Sequence, residues 1–236
     1  KGAIADYTKA IEINPNDAKA YKNRGLSKYE LRDYKGAIED FTKAIEINPN
    51  DAKAYKNRGL SKYKLRDYKG AIEDFTKAIE INPNDAYAYY NRGIAKGGGI
   101  AKGGLKDYKG AIADFTKAIE IDPNYADAYN NRGILKNDLK DYKGAIADLN
   151  KAIEIDPNDA SAYIIRGLAK DDLEDYKGAI EDFTKAIEID PNDASTYYNR
   201  GIVKYYSEDK SGACRDARKA QELGYDASKF INNECN

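Results

Sequence analysis

The sequence predicts an all-α chain of tandem helical hairpins. Three observations predict it: a ladder of prolines, two blocks of almost identical sequence, and apolar residues recurring at helical spacing. Pro15, Pro49, Pro83, Pro123, Pro157 and Pro191 are spaced by 34, 34, 40, 34 and 34 residues. Residues 18–51 and 52–85 differ only at Glu30 versus Lys64, which points to recent duplication or deliberate construction without deciding between them.

The unit at 52–85 shows why each half is helical. Asn50 and Asp51 carry side-chain oxygens that accept from the free N–H groups of a helix start. Between Ala52 and Leu65, the residues Ala54, Tyr55, Leu60, Tyr63 and Leu65 are expected on the buried side. Asp67 opens the second helix as a cap that also complements the dipole. Ala71, Ile72, Phe75, Ala78, Ile79 and Ile81 then recur at helical spacing. Asn82-Pro83 ends the run, because proline cannot continue a helix and steers its predecessor out of the αR region. Gly59 and Gly70 sit inside helices at a cost of about 1 kcal/mol each relative to alanine. Their return in every unit predicts close helix crossings. Glu73 and Lys77 are spaced for an i,i+4 pair on the exposed face.

In chain order, residues 1–17 give a half repeat with a second helix only, and 18–51 and 52–85 give two hairpins. The unit at 86–125 is longer because the hexapeptide Gly93–Gly98 is duplicated as Gly99–Gly104. Six added helical residues would rotate the chain by about 600° and carry Leu105 about 120° off its groove. The glycines also oppose helix. The first helix is therefore expected to stop near Lys96, with 97–104 looped out as a mobile protrusion and later residues in register. Hairpins at 126–159 and 160–193 follow, then a degenerate unit at 194–224, where Ala217 replaces Phe183 and no proline follows Leu223. Residues 225–236 supply a capping helix anchored by Phe230 and Ile231. The apolar side of helix 1–13, without its partner, is expected to fray or to find a neighbouring molecule. Because the chain opens inside a repeat, the sequence leaves any upstream leader, and hence the compartment, open. Cys214 and Cys235 are too few for a metal site. Two free thiols is the favoured reading, and one bridge pinning the terminal helix is the alternative.

A 34-residue helix-turn-helix unit carrying Tyr55, Gly59, Tyr68, Ala71, Phe75, Ala78 and Pro83 resembles the tetratricopeptide repeat (TPR). The resemblance covers nearly the whole chain in six tandem copies. It implies a right-handed α-solenoid whose inner surface holds peptides, and a scaffold rather than an enzyme.

The residues themselves offer little catalytic chemistry. Without histidine there is no Ser-His-Asp or Cys-His arrangement and no histidine metal site. Gly97–Gly104 misses the spacing and the Ser/Thr of a phosphate loop and follows a helix rather than a strand. No catalytic residue, metal ligand or cofactor is therefore assigned. With 39 Lys+Arg against 40 Asp+Glu, no global charge draws the chain to nucleic acid or a membrane surface. Arg24, Arg58, Arg92, Arg132, Arg166 and Arg200 each precede a glycine, and Asp6, Asp40, Asp74, Asp114, Asp148, Asp182 and Asp216 recur on the second helices. Interhelical ion pairing is the favoured reading, and ligand contact by the arginines is the alternative.

By the resemblance, the first helix of each unit lines the inner wall with the residues one, four, five and eight places after its opening alanine. These are Lys19, Lys22, Asn23 and Leu26, then Lys53, Lys56, Asn57 and Leu60, then Tyr87, Tyr90, Asn91 and Ile94. Later units offer Asp127, Asn130 and Asn131, then Ser161, Ile164 and Ile165, then Ser195, Tyr198 and Asn199. Further along, Tyr29 and Tyr63 contrast with Asp138, Asp171 and Asp172, so the wall is expected to run from basic and aromatic to acidic. Asparagine can both donate to and accept from a peptide backbone, and the lysines beside it can hold a carboxylate. The expected partner is a protein or peptide segment with an acidic stretch near Lys19–Lys56. Lys22, Asn57 and Lys53 resemble the two-carboxylate clamp of some TPR co-chaperones, but Leu26 and Asn91 stand where that clamp has Asn and Arg. The alternative class is a structural or self-assembling repeat protein, natural or engineered, joined through the orphan helix 1–13.

Overall fold

The computed structural model describes residues 2–97 and 104–235, which form fourteen α-helices joined by turns, with no strand among them. The chain divides into two compact units, Lys1–Pro123 and Asn124–Asn236. Unit one holds α1 (Gly2–Ile13) and the hairpins α2 (Ala18–Glu30)–α3 (Tyr34–Ile47), α4 (Ala52–Lys64)–α5 (Tyr68–Ile81) and α6 (Ala86–Gly97)–α7 (Tyr108–Ile121). Unit two holds α8 (Ala126–Asp138)–α9 (Tyr142–Ile155), α10 (Ala160–Asp171)–α11 (Tyr176–Ile189) and α12 (Ala194–Tyr206)–α13 (Lys210–Glu222). Its last helix is α14 (Ser228–Glu234). Inside each unit, a second helix packs on its own partner and on the first helix of the next hairpin. Successive first helices also touch, α2 with α4, α4 with α6, and α8 with α10. No described helix is long and apolar enough to cross a membrane.

The hairpins begin where the caps predict. Asp51 accepts from the amides of Lys53 and Ala54 at 3.0 and 3.1 Å, and Asp67 from that of Gly70 at 3.0 Å. Proline ends the second helix as expected, with α5 stopping at Ile81 and Asn82 at its C-cap. The turn inside the hairpin is closed differently. Arg66 adopts a left-handed φ of 63°, its amide donates to Tyr63 O at 2.9 Å, and the Asp67 amide donates to Lys62 O at 2.9 Å. This is a Schellman closure built on arginine where glycine is the common choice.

The core is small side chains around one large one. Phe75 is fully buried against Gly59, where a Cβ would lie 2.9 Å from the ring, so that glycine does mark a close helix crossing. Gly70 does not: a Cβ there would fall 2.3 Å from Oδ2 of Asp67, so the glycine leaves room for its own helix cap. Leu65 is not on the buried side either. It sits at the C-cap of α4 and is 42% exposed, because the helix ends one residue before it. Glu73 and Lys77 do not pair; Lys77 bonds Glu80 at 2.7 Å, one turn towards the C-terminus.

The duplicated hexapeptide leaves the hairpin register intact. Leu105 N donates to Ala95 O at 3.2 Å and Asp107 N to Lys96 O at 3.0 Å, as Leu65 does to Ser61 and Asp67 to Lys62 in the shorter unit. The first helix runs to Gly97, close to the expected stop. The proposed protrusion lies mostly at residues 98–103, outside the described residues. At the other end, Cys214 and Cys235 are not free thiols: they form a disulfide whose Cα atoms are 5.6 Å apart. Two cysteines alone could not show that α14 folds back and brings Cys235 against α13.

Candidate functional site: the first-helix walls

What holds each first helix determines which of its side chains are free. Arg58 spans to Asp74 through two hydrogen bonds of 2.9 and 2.7 Å, and its Nη1 reaches Thr42 on the preceding second helix at 3.1 Å. The same fork joins Arg24 to Asp40, Arg92 to Asp114, Arg132 to Asp148, Arg166 to Asp182 and Arg200 to Asp216. Each of these aspartates is buried. The hydrogen bonds that Arg24 donates to Asp40 are the main reason that the Arg24 pKa is raised. A lysine four residues after each arginine adds a second cation to the same carboxylate: Lys62 lies 2.9 Å from Asp74, and Lys28, Lys96, Lys136, Lys170 and Lys204 repeat the contact. Sequence reasoning found the arginine–aspartate pair and missed the lysine, although its i,i+4 recurrence was readable. Arg58 also lies 5.5 Å from the ring centre of Tyr55, and each of the other five arginines has a matching tyrosine. Each of these arginines is thus engaged in an interhelical ion pair. Asp6 departs from the ladder, exposed on α1 with no ion pair among the described residues.

In unit one, the candidate lysines fall into two kinds. Lys22 is held 2.5 Å from Asp51 and Lys56 2.6 Å from Asp85, so each ties its helix to the cap of the next one. Burial pushes the Asp51 pKa up, but Lys22 together with the amides of Ala54 and Lys53 holds it below its ordinary value. Lys19 and Lys53 are exposed and pair with no carboxylate among the described residues. Asn23 and Asn57 are half-buried beside them. Tyr87 is exposed, 5.1 Å from Lys56 Nζ at its ring centre, and Tyr90 packs on Phe115 with 5.7 Å between rings. The amide of Asn91 donates to Tyr87 O at 2.6 Å in its own helix.

In unit two, Asn130 and Asn131 are buried rather than presented. Asn130 Nδ2 donates to Asp159 Oδ2 at 2.5 Å, and Asn131 Nδ2 to Asp127 O at 2.9 Å. Tyr198 is stacked on Tyr225 at 4.5 Å and meets Phe230 edge-on at 6.3 Å, so the C-terminal segment covers it. Asn199 stays half-buried on the same helix.

Models described as tetratricopeptide repeat match residues 18–51, 52–85 and 126–159, and also 75–108. A model described as TPR repeat matches 1–32, 105–138 and 172–206. Among curated proteins none matches the chain. Among solved structures, MamA from Desulfovibrio magneticus RS-1 is 28% identical, with 73% of this chain and 94% of that one covered at a TM-score of 0.66. YrrB, described as a TPR protein with an unusual peptide-binding site, is 25% identical, with 86% and 97% covered at 0.67. PilF of Pseudomonas aeruginosa, at 19% identity with 92% and 97% covered and a TM-score of 0.74, shares the fold.

Proposed function

The chain belongs to the tetratricopeptide repeat family and is a protein-interaction scaffold, and from that premise we propose that the first-helix wall of unit one binds a peptide segment carrying acidic side chains. One observation carries this reading. Lys19 and Lys53, at the same place on adjacent helices, are exposed and unpaired, while the lysines three residues after them are committed to Asp51 and Asp85. Exposed ammonium groups spaced one repeat apart can receive carboxylates from one extended chain, with Asn23 and Asn57 beside them for its backbone. The solvent-facing ring of Tyr87 adds apolar area on the next helix. YrrB, a neighbour of the same fold, is described as having a peptide-binding site, which is consistent with this use of the wall.

The test is anisotropy of a labelled Glu-Leu peptide titrated with the full chain. Lys19→Glu/Lys53→Glu should weaken binding about tenfold at low salt without lowering the melting temperature. Lys22→Glu/Lys56→Glu should instead destabilise the fold by breaking the helix-to-helix pairs. Equal binding by wild type and the Lys19/Lys53 variant would overturn the proposal.

A further inference from the structure

We infer that the first-helix wall of unit two docks a basic amphipathic segment, whose cations meet Asp159, Asp171 and Asp172 and whose aliphatic side chains lie on Ile134, Ile164 and Leu168. The inference rests on the reading that first-helix walls receive peptides, and it assigns this wall a partner of the opposite charge.

The observation behind it is a cation that is present in unit one and absent from the same place in unit two. Lys22 and Lys56 neutralise the caps Asp51 and Asp85. At the equivalent positions of α8 and α10 stand Asn130 and Ile164. Asp159 therefore keeps only neutral donors, the amide of Ser161 at 2.9 Å and Nδ2 of Asn130 at 2.5 Å. Burial raises its pKa above the ordinary value; the Ser161 and Ala162 amides oppose this, and Asp156 and Asp127 add to it. Asn130 itself is 2% exposed, and its Oδ1 has no hydrogen-bond partner. A buried carbonyl oxygen beside an uncompensated carboxylate is costly, and an arriving ammonium relieves the carboxylate.

The far end of the wall repeats the shortage. Tyr29 and Tyr63 of unit one are succeeded here by Asn137 and Asp171. Asp171 has its pKa raised by burial and then by Asp172. The lysines of α8 and α10 are already engaged: Lys136 and Lys170 are held 2.7 and 2.8 Å from the buried Asp148 and Asp182. Between the two acidic ends, Ile134, Ile164 and Leu168 are half-buried on successive first helices and leave apolar area at the surface. Among the described residues no group of three carboxylate, cysteine or histidine side chains comes together to hold a metal ion. The cation we assign to this wall is a lysine or arginine side chain of the partner. Polyanions are repelled, and a chain alternating lysine or arginine with leucine or isoleucine satisfies both features.

The experiment uses the full chain and labelled Lys-Leu, Ser-Leu and Glu-Leu peptides in anisotropy titrations at low salt. The Lys-Leu probe should bind more tightly than the Ser-Leu probe. Asp171→Asn/Asp172→Asn should weaken it about fivefold with no loss of melting temperature. Asn130→Lys, which sets an ammonium against Asp159 as Lys22 is set against Asp51, should weaken it as well. Glu39→Gln/Glu73→Gln on the second helices of unit one should leave it unchanged. Equal binding of the Lys-Leu and Ser-Leu probes, no response to Asp171→Asn/Asp172→Asn, or an equal response to the Glu39/Glu73 control would overturn the inference. Should the Glu-Leu probe fail while the Lys-Leu probe binds, the acidic reading of unit one falls and this one stands; the reverse pattern removes only this one.

Discussion

A buried aspartate gripped by an arginine fork and a lysine is the residue that gives each hairpin its geometry. Removing one cation leaves a carboxylate in a place water barely reaches, which costs more than the intact pair contributes. In Arg92→Met, Asp114 keeps Lys96 at 2.8 Å but loses two bonds of 3.0 and 2.7 Å, and Thr76 keeps its bond to Ile72 O but loses the one it accepts from Arg92. The expected loss is about 3 kcal/mol in urea unfolding, with affinity for the Glu-Leu probe unchanged. A stable Arg92→Met protein with weakened binding would return the arginines to the ligand. The pair was legible in the sequence because arginine and aspartate recur with the repeat itself. The commitment of Lys22 and Lys56 was not, since their partners are 29 residues away and nothing local separates a lysine held by the next cap from one facing solvent, such as Lys53.

At the level of the helix and its turn, the sequence was most readable where chemistry acts locally. Asp51, Asp67 and Pro83 marked helix ends without any knowledge of packing. Periodicity failed where the helix stops, as at Leu65, since an apolar residue in phase is no longer on the helix face once the backbone leaves it. Gly70 was misread because a glycine needed by a neighbouring carboxylate and one needed by a crossing helix look alike in one dimension. The left-handed turn residue was invisible for a related reason: Arg32, Arg66, Lys106, Lys140, Glu174 and Glu208 all have φ between 60 and 71° with no glycine signal. A Cβ in that region is strained, so Arg66→Gly should stabilise the chain by about 0.5 kcal/mol, relief of the strain outweighing the greater freedom of the unfolded glycine. Thermal melts of Arg66→Gly and of a paired Arg66→Gly/Glu174→Gly variant check it. The two changes lie in separate turns and should add; a lowered melting temperature in either would refute the strain argument.

Within each unit, hairpins lean on their neighbours, so an end is stabilised by whatever covers it. The two end helices are treated differently. None of the residues of α1 is fully buried, and Ile13 at its end is 86% exposed. The seven-residue α14 also buries none of its residues, and a helix so short does not persist alone. It occupies the place of a further first helix, but Glu234 and Cys235 stand where the others carry arginine and glycine, so it has no arginine to offer Asp6 of a second copy. Instead it is fastened. Cys235 is bonded to Cys214 on α13, Arg218 donates to Cys235 O at 3.3 Å, Tyr205 donates to Glu234 at 2.5 Å, and Phe230 lies against Tyr198 and Tyr205. The bridge closes a loop of 21 residues, for which the loss of unfolded-state entropy corresponds to about 3 kcal/mol. A dithiol reductant, or Cys214→Ala/Cys235→Ala, should therefore release α14 while the hairpins before it remain folded. Hydrogen exchange should accelerate across 225–235 and along α12 and α13, where Tyr198 loses its cover, and should stay unchanged in 18–97. If the two cysteines only decorate an end held by its aromatic rings, exchange in 225–235 will be the same with and without reductant.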